Sequence, residues 1–115
     1  MKKIHYKTKL NFSHYIKNEP KLFDKQCETP HDHESVIIIT VPLQEDEFLD
    51  FKVVKNATEK VLDGLQNKNI TDIAGLGRTE ELVDYLSQKI GYELKKKIDV
   101  YIQETHKYGM ELVSD

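Results

Sequence analysis

The residues able to do chemistry in this chain are grouped. His31 and His33 stand one residue apart, just before the β-branched run Val36-Ile37-Ile38-Ile39-Thr40-Val41. Side chains at i and i+2 of a strand share a face. Two imidazoles placed that way can converge on one ion, and imidazole is a common zinc ligand. On spacing alone, two surface histidines at the end of a loop is the alternative reading. A third imidazole, His14, continues the alternation of Leu10 and Phe12 and so has core-side parity. An antiparallel hairpin would set it beside the pair. Three histidines with a fourth position open describe a catalytic zinc centre rather than a structural one.

Other candidates flank them. Cys27 lies four residues before His31. A thiol near a cation can act as base or nucleophile, although a lone cysteine is also a small hydrophobe. Glu28 is an alternative general base or an ordinary loop acid. Glu104 ends the apolar face Ile98, Val100, Ile102. A carboxylate there must be paired or bind something. It can accept the adjacent N–H and NH2 of a pterin or guanine ring in bidentate fashion, or pair with a lysine. His5 falls on a solvent face, and His106 reads as a turn residue.

The positioning elements follow from periodicity. Ile4 to Phe12 alternates as a strand with one buried face. Asn18 to Pro30 reads as a loop. The run after His33 reads as a strand that Pro42 ends. Val54, Ala57, Val61 and Leu65 recur at helical spacing. Gly75-Leu76-Gly77 is a loop; Thr79 is an N-cap for a second helix through Leu82, Leu86 and Ile90 that Gly91 stops. Ile98 to Glu104 and Met110 to Val113 complete a ββααββ order. That order predicts an α+β fold, an antiparallel sheet with two helices on one face.

The chain has 115 residues, 38% of them hydrophobic and 32% charged, which fits one domain over 1–115 with a modest core. A subunit this small fits a homo-oligomer that shares its site walls. A net charge of −3 argues against nucleic acid; Lys95-Lys96-Lys97 reads as a solvated turn. One cysteine precludes an internal disulfide and suits a reducing cytoplasm. Met1-Lys2-Lys3 leads into alternation rather than a signal peptide, and the longest apolar run, Val36 to Ile39, is too short to span a membrane.

In order and spacing, His14, Cys27-x-x-x-His31-x-His33, Leu49-Asp50-Phe51, Asp72-Ile73-x-Gly75-Leu76, Thr79-x-Glu81 and Glu104-Thr105 resemble the tetrahydropterin synthases of the tunnelling fold. The resemblance implies a ββααββ subunit assembled around a barrel, usually as a hexamer of two stacked trimers. It implies zinc on His14, His31 and His33, a catalytic thiol at Cys27, a pterin anchor at Glu104-Thr105, and support for the pterin pocket from Thr79 and Glu81. The Cys-x-x-x-His-x-His spacing is similar to the bacterial 6-carboxytetrahydropterin synthases of queuosine and deazapurine synthesis, which act on 7,8-dihydroneopterin triphosphate. A glutamate at the place of Glu28 is similar to relatives that cleave the dihydroneopterin side chain.

The chain departs from the family pattern at the Leu-Asp-His that normally ends the first helix. Leu65-Gln66-Asn67 stands there in one register and Leu62-Asp63-Gly64 in another, and neither restores the histidine. Gln66 and Asn67 cannot exchange protons near neutral pH. Asp32 replaces a glycine between the paired histidines, and Arg78 replaces a proline. The expectation is a zinc-dependent pterin lyase, against a pterin- or purine-binding homologue with impaired catalysis.

Overall fold

The computed structural model describes residues 1–17 and 19–115. Asn18, where the expected loop begins, lies outside the described residues. Strands β1 (Lys2–His14) and β2 (His31–Leu43) form a long antiparallel hairpin, paired from Lys2 opposite Leu43 to His14 opposite His31. Then follow α1 (Phe51–Asp63), α2 (Ile70–Ala74), α3 (Thr79–Leu94), β3 (Asp99–Gln103) and β4 (Gly109–Leu112). The sheet is antiparallel in the order β1-β2-β3-β4. Its alternation puts Ile4, Leu10, Phe12, Ile37, Ile39, Val41, Val100 and Ile102 on one face, where they pack against Val54 and Leu62 of α1 and Leu82, Leu86 and Ile90 of α3.

The α+β antiparallel fold is therefore as the alternation predicts, with local differences. Two short helices are added: a 3-10 turn over Lys25–Glu28 inside the expected loop, and α2, capped by Asn69 and closed by Gly75. On α1 the innermost positions are Val54, Thr58 and Leu62; Ala57 and Val61 are only half-buried. A threonine had masked the stripe's true centre. Pro42 does not end β2 but sits opposite Lys3 within it. The β2–β3 ladder has already stopped at Thr40, so the missing N–H leaves no gap there. Helix α3 passes through Gly91 and ends at Lys95, the residue that takes the left-handed conformation at φ 55°. Its first helical residue is Thr79, after an Arg78 N-cap, so Thr79 is not the cap; the reaching-back side chain is Glu81, which accepts from Arg78 N–H at 2.9 Å. Among the described residues no helix is long and apolar enough to cross a membrane.

Candidate metal and ring-binding site

The open end of the β1–β2 hairpin brings the three histidines together. His14 faces the core beside His31, with ring centroids 4.5 Å apart, and lies 5.5 Å from the His33 ring. Two imidazoles on one tetrahedral zinc, at about 2.0–2.1 Å each, have centroids about 5 Å apart, between these two values. Phe12 packs edge-on against both His14 and His33.

Hydrogen bonds fix which nitrogens face inward. His14 Nδ1 lies 3.1 Å from the Gly77 carbonyl, and His31 Nδ1 lies 2.9 Å from the Thr29 carbonyl. A carbonyl only accepts, so each ring carries its proton on Nδ1 and leaves Nε2 as a lone pair. Metal-binding histidines are commonly oriented in this way. His14 Nε2 and His33 Nε2 are both buried without a hydrogen-bond partner. Such orphaned buried nitrogens are rare unless something outside the chain satisfies them. Among the described residues no three His, Cys, Asp or Glu side chains stand closed on a metal position. The donor type, the tautomers and the orphaned nitrogens nonetheless fit a borderline divalent cation.

Gly77 is built for its part. A Cβ there would come within 2.6 Å of the Tyr15 carbonyl oxygen, so only glycine lets the loop approach His14 this closely. The Glu81 carboxylate accepts from Gly77 N–H at 3.2 Å as well as from Arg78, holding the strand of loop whose carbonyl orients His14. Thr71 adds a second tie, accepting from Tyr15 N–H at 2.9 Å.

Glu104 follows β3 and faces the same region. Its Oε2 accepts from the Thr79 hydroxyl at 2.6 Å, and its Oε1 lies 3.8 Å from His33 Nε2. Thr79 and Glu104 share one wall of an open cavity of about 670 Å³, whose other walls include Ile16, Leu22 and Arg78. Small-molecule sites are commonly of this size. Arg78 Nη2 pairs at 2.7 Å with Glu19 on the opposite rim.

Cys27 lies half-buried in the 3-10 turn, and its carbonyl accepts from Ile16 N–H at 2.8 Å, which ties the turn to the end of β1. Burial pushes its thiol pKa up, and the negative charges of Asp24 and Glu104 add to that. Other sequence candidates are placed differently. Glu28 is exposed and pairs with Lys25 at 3.7 Å. Thr105 closes the β3–β4 turn, its hydroxyl accepting from Lys107 N–H and Tyr108 N–H. Gln66 and Asn67 hold the outer edge of β1: Gln66 Oε1 accepts from Asn11 N–H at 2.6 Å, and Asn67 N–H donates to the Asn11 carbonyl at 2.6 Å. Sequence reasoning missed Gly77 and Ser35. Ser35 carries the parity of His31 and His33, a signal that was available.

The buried imidazoles give a pH signature. Burial lowers the His14 pKa below its ordinary value of about 6.5, and His31 and His33 lower it further; Glu104 and the Gly77 carbonyl act weakly the other way. The folded, metal-free chain thus keeps His14 neutral where the unfolded chain takes up a proton. The unfolded state binds more protons, so stability falls as pH drops below about 6.5. The slope due to His14 is at most about 1.4 kcal/mol per pH unit. Urea midpoints of metal-free protein should fall from pH 7.5 to 5.5, and less so in His14→Gln; equal slopes in both proteins would contradict this origin.

A family model described as 6-pyruvoyl tetrahydropterin synthase matches residues 3–114. The solved 6-pyruvoyl tetrahydropterin synthase of Caenorhabditis elegans superposes with a TM-score of 0.80 at 17% identity, covering 98% of this chain and 95% of that one. The Plasmodium falciparum 6-pyruvoyl tetrahydropterin synthase superposes at 0.70 and 14% identity, covering 96% of each chain. No curated protein matches the sequence.

Proposed function

The chain belongs to the 6-pyruvoyl tetrahydropterin synthase family, and from that premise we propose that it is a zinc-dependent lyase converting 7,8-dihydroneopterin triphosphate to 6-carboxytetrahydropterin. The observation that carries the reading is the trio of facing histidine rings, with two buried and partnerless Nε2 atoms beside a carboxylate held by Thr79. Zinc on His14, His31 and His33 would polarise the oxygens of the substrate side chain. Glu104, with one oxygen fixed by Thr79, would accept the N–H and NH2 edge of the ring and set its orientation. Glu81 would act on this site through the Gly77 loop rather than by touching the ring. Thr105, whose N–H donates to the Tyr108 carbonyl and whose hydroxyl accepts from Lys107 N–H and Tyr108 N–H, would support the ring site by holding the turn that follows Glu104.

Cys27 would take the side-chain proton. In the ligand-free protein its thiol is protonated, because burial and nearby carboxylates raise its pKa. Ring N–H donation to Glu104 and the charge of a bound cation both oppose that rise, so more of the thiol is thiolate, the form able to take a proton, once the site is filled. Cys27 is favoured over Glu28, which faces solvent and Lys25.

Assembly as a homo-oligomer, a hexamer by resemblance, belongs to the same proposal. β1 and β4 are the edge strands of the sheet, β1 open at its Lys3–Lys7 half among the described residues, and such edges readily pair with another chain. On the helix-free face, β1 presents Lys3, His5 and Lys7 at one edge and β4 presents Glu111 at the other, so opposite edges carry opposite charges. Phe23, Phe48 and Tyr92 are fully or largely exposed, as expected of surface awaiting a neighbour.

A second reading is favoured by Gln66 and Asn67, which hold backbone instead of moving protons. It is a pterin- or purine-binding subunit without turnover. Incubating zinc-loaded protein with 7,8-dihydroneopterin triphosphate and identifying the pterins by mass spectrometry decides between them. 6-Carboxytetrahydropterin supports the lyase; intact substrate from protein shown to hold zinc supports the binding subunit.

A further inference from the structure

Beside the histidine rings is a small cavity of about 10 Å³, walled in part by His14, His33, Ser35, Thr79 and Glu104. That is room for about one water, which needs two to four polar partners. Ser35 is 1% exposed and its hydroxyl has no partner. It lies on the histidine face of β2, two residues beyond His33. The β2–β3 register sets Val36 opposite Gln103, so Ser35 falls opposite position 104. Glu104 has one oxygen engaged by Thr79, while the other is only 3.8 Å from His33 Nε2.

We propose that Ser35 is a positioning residue that holds one ordered water in this cavity, bridging its hydroxyl to the free oxygen of Glu104. The water accepts from Ser35 and donates to Oε1, so the carboxylate is restrained at both oxygens. Its remaining lone pairs are then aimed at the ring edge before any ligand arrives. The consequence for ring binding rests on the pterin reading above; the water itself does not.

The first arm is an atomic-resolution crystal structure of the ligand-free protein. Density for a water within hydrogen-bond distance of both Ser35 Oγ and Glu104 Oε1 is expected. An empty cavity, or a Ser35 hydroxyl turned onto a main-chain carbonyl, overturns the proposal. The second arm compares wild type with Ser35→Ala. Loss of one hydrogen bond serving a charged group should weaken neopterin binding, read by its fluorescence, about tenfold. Zinc affinity and Tm should hold, which a merely structural role would not allow. Unchanged neopterin affinity, or a parallel loss of zinc, overturns it. If wild type fails to bind neopterin while the water is present, the pterin reading falls and the trapped water stands.

Discussion

His14→Ala is expected to leave the chain unable to retain zinc and, with it, inactive. His14 is the most deeply set of the three rings, and its tautomer is fixed by the Gly77 carbonyl. Losing an outer partner of a metal-bound histidine costs about 10–100-fold in affinity. Removing the histidine itself should exceed the upper end of that range. Competition with a chromophoric chelator measures the loss, and metal content after gel filtration measures retention. The substitution also empties a buried site, so circular dichroism must show the fold intact. A folded His14→Ala protein that keeps one zinc per chain at undiminished affinity would remove His14 from the ligand set.

Cys27→Ala is expected to separate what His14→Ala joins. Turnover should fall by roughly 10²–10⁴-fold, the contribution of a positioned acid–base group. Zinc affinity and neopterin binding should be unchanged. Cys27 sits half-buried in a turn held by backbone bonds from Ile16 and Thr29, none of which uses the thiol. The fold therefore has little stake in the sulfur. Full activity in Cys27→Ala would transfer the proton step to another group, with Glu28→Gln the next variant to measure.

Much of this was legible because strand parity is unforgiving. A one-residue slip in β1 would turn Leu10, Phe12 and His14 outward together, so apolar neighbours reported the direction of a polar side chain. The same logic placed Glu104 beyond Ile102. Loop partners were not legible. Nothing local in Gly75-Leu76-Gly77 announces that one carbonyl orients a histidine sixty-odd positions earlier, since that contact exists only once α2 and α3 have packed. Glu81 was readable as an acid in a first helical turn, and its reach back to Gly77 N–H depends on the bend before α3. Thr58 misled because hydropathy marks it polar, although its place on α1 is fully buried.

The Gln66–Asn67 tie to Asn11 also divides the rim of the sheet. Both main-chain groups of Asn11 point away from β2, so the odd-numbered residues of β1 aim outward along its length. The tie and the Ser13 N–H to Lys68 carbonyl bond at 2.9 Å occupy the half nearer the histidines. Among the described residues, outward main-chain bonding is left open at Lys3, His5 and Lys7. A strand added at this edge would therefore find a short docking rail with an end-stop that blocks any slide toward the histidines. An amide at position 66 keeps that stop in place at every physiological pH, where an imidazole would have made it titrate.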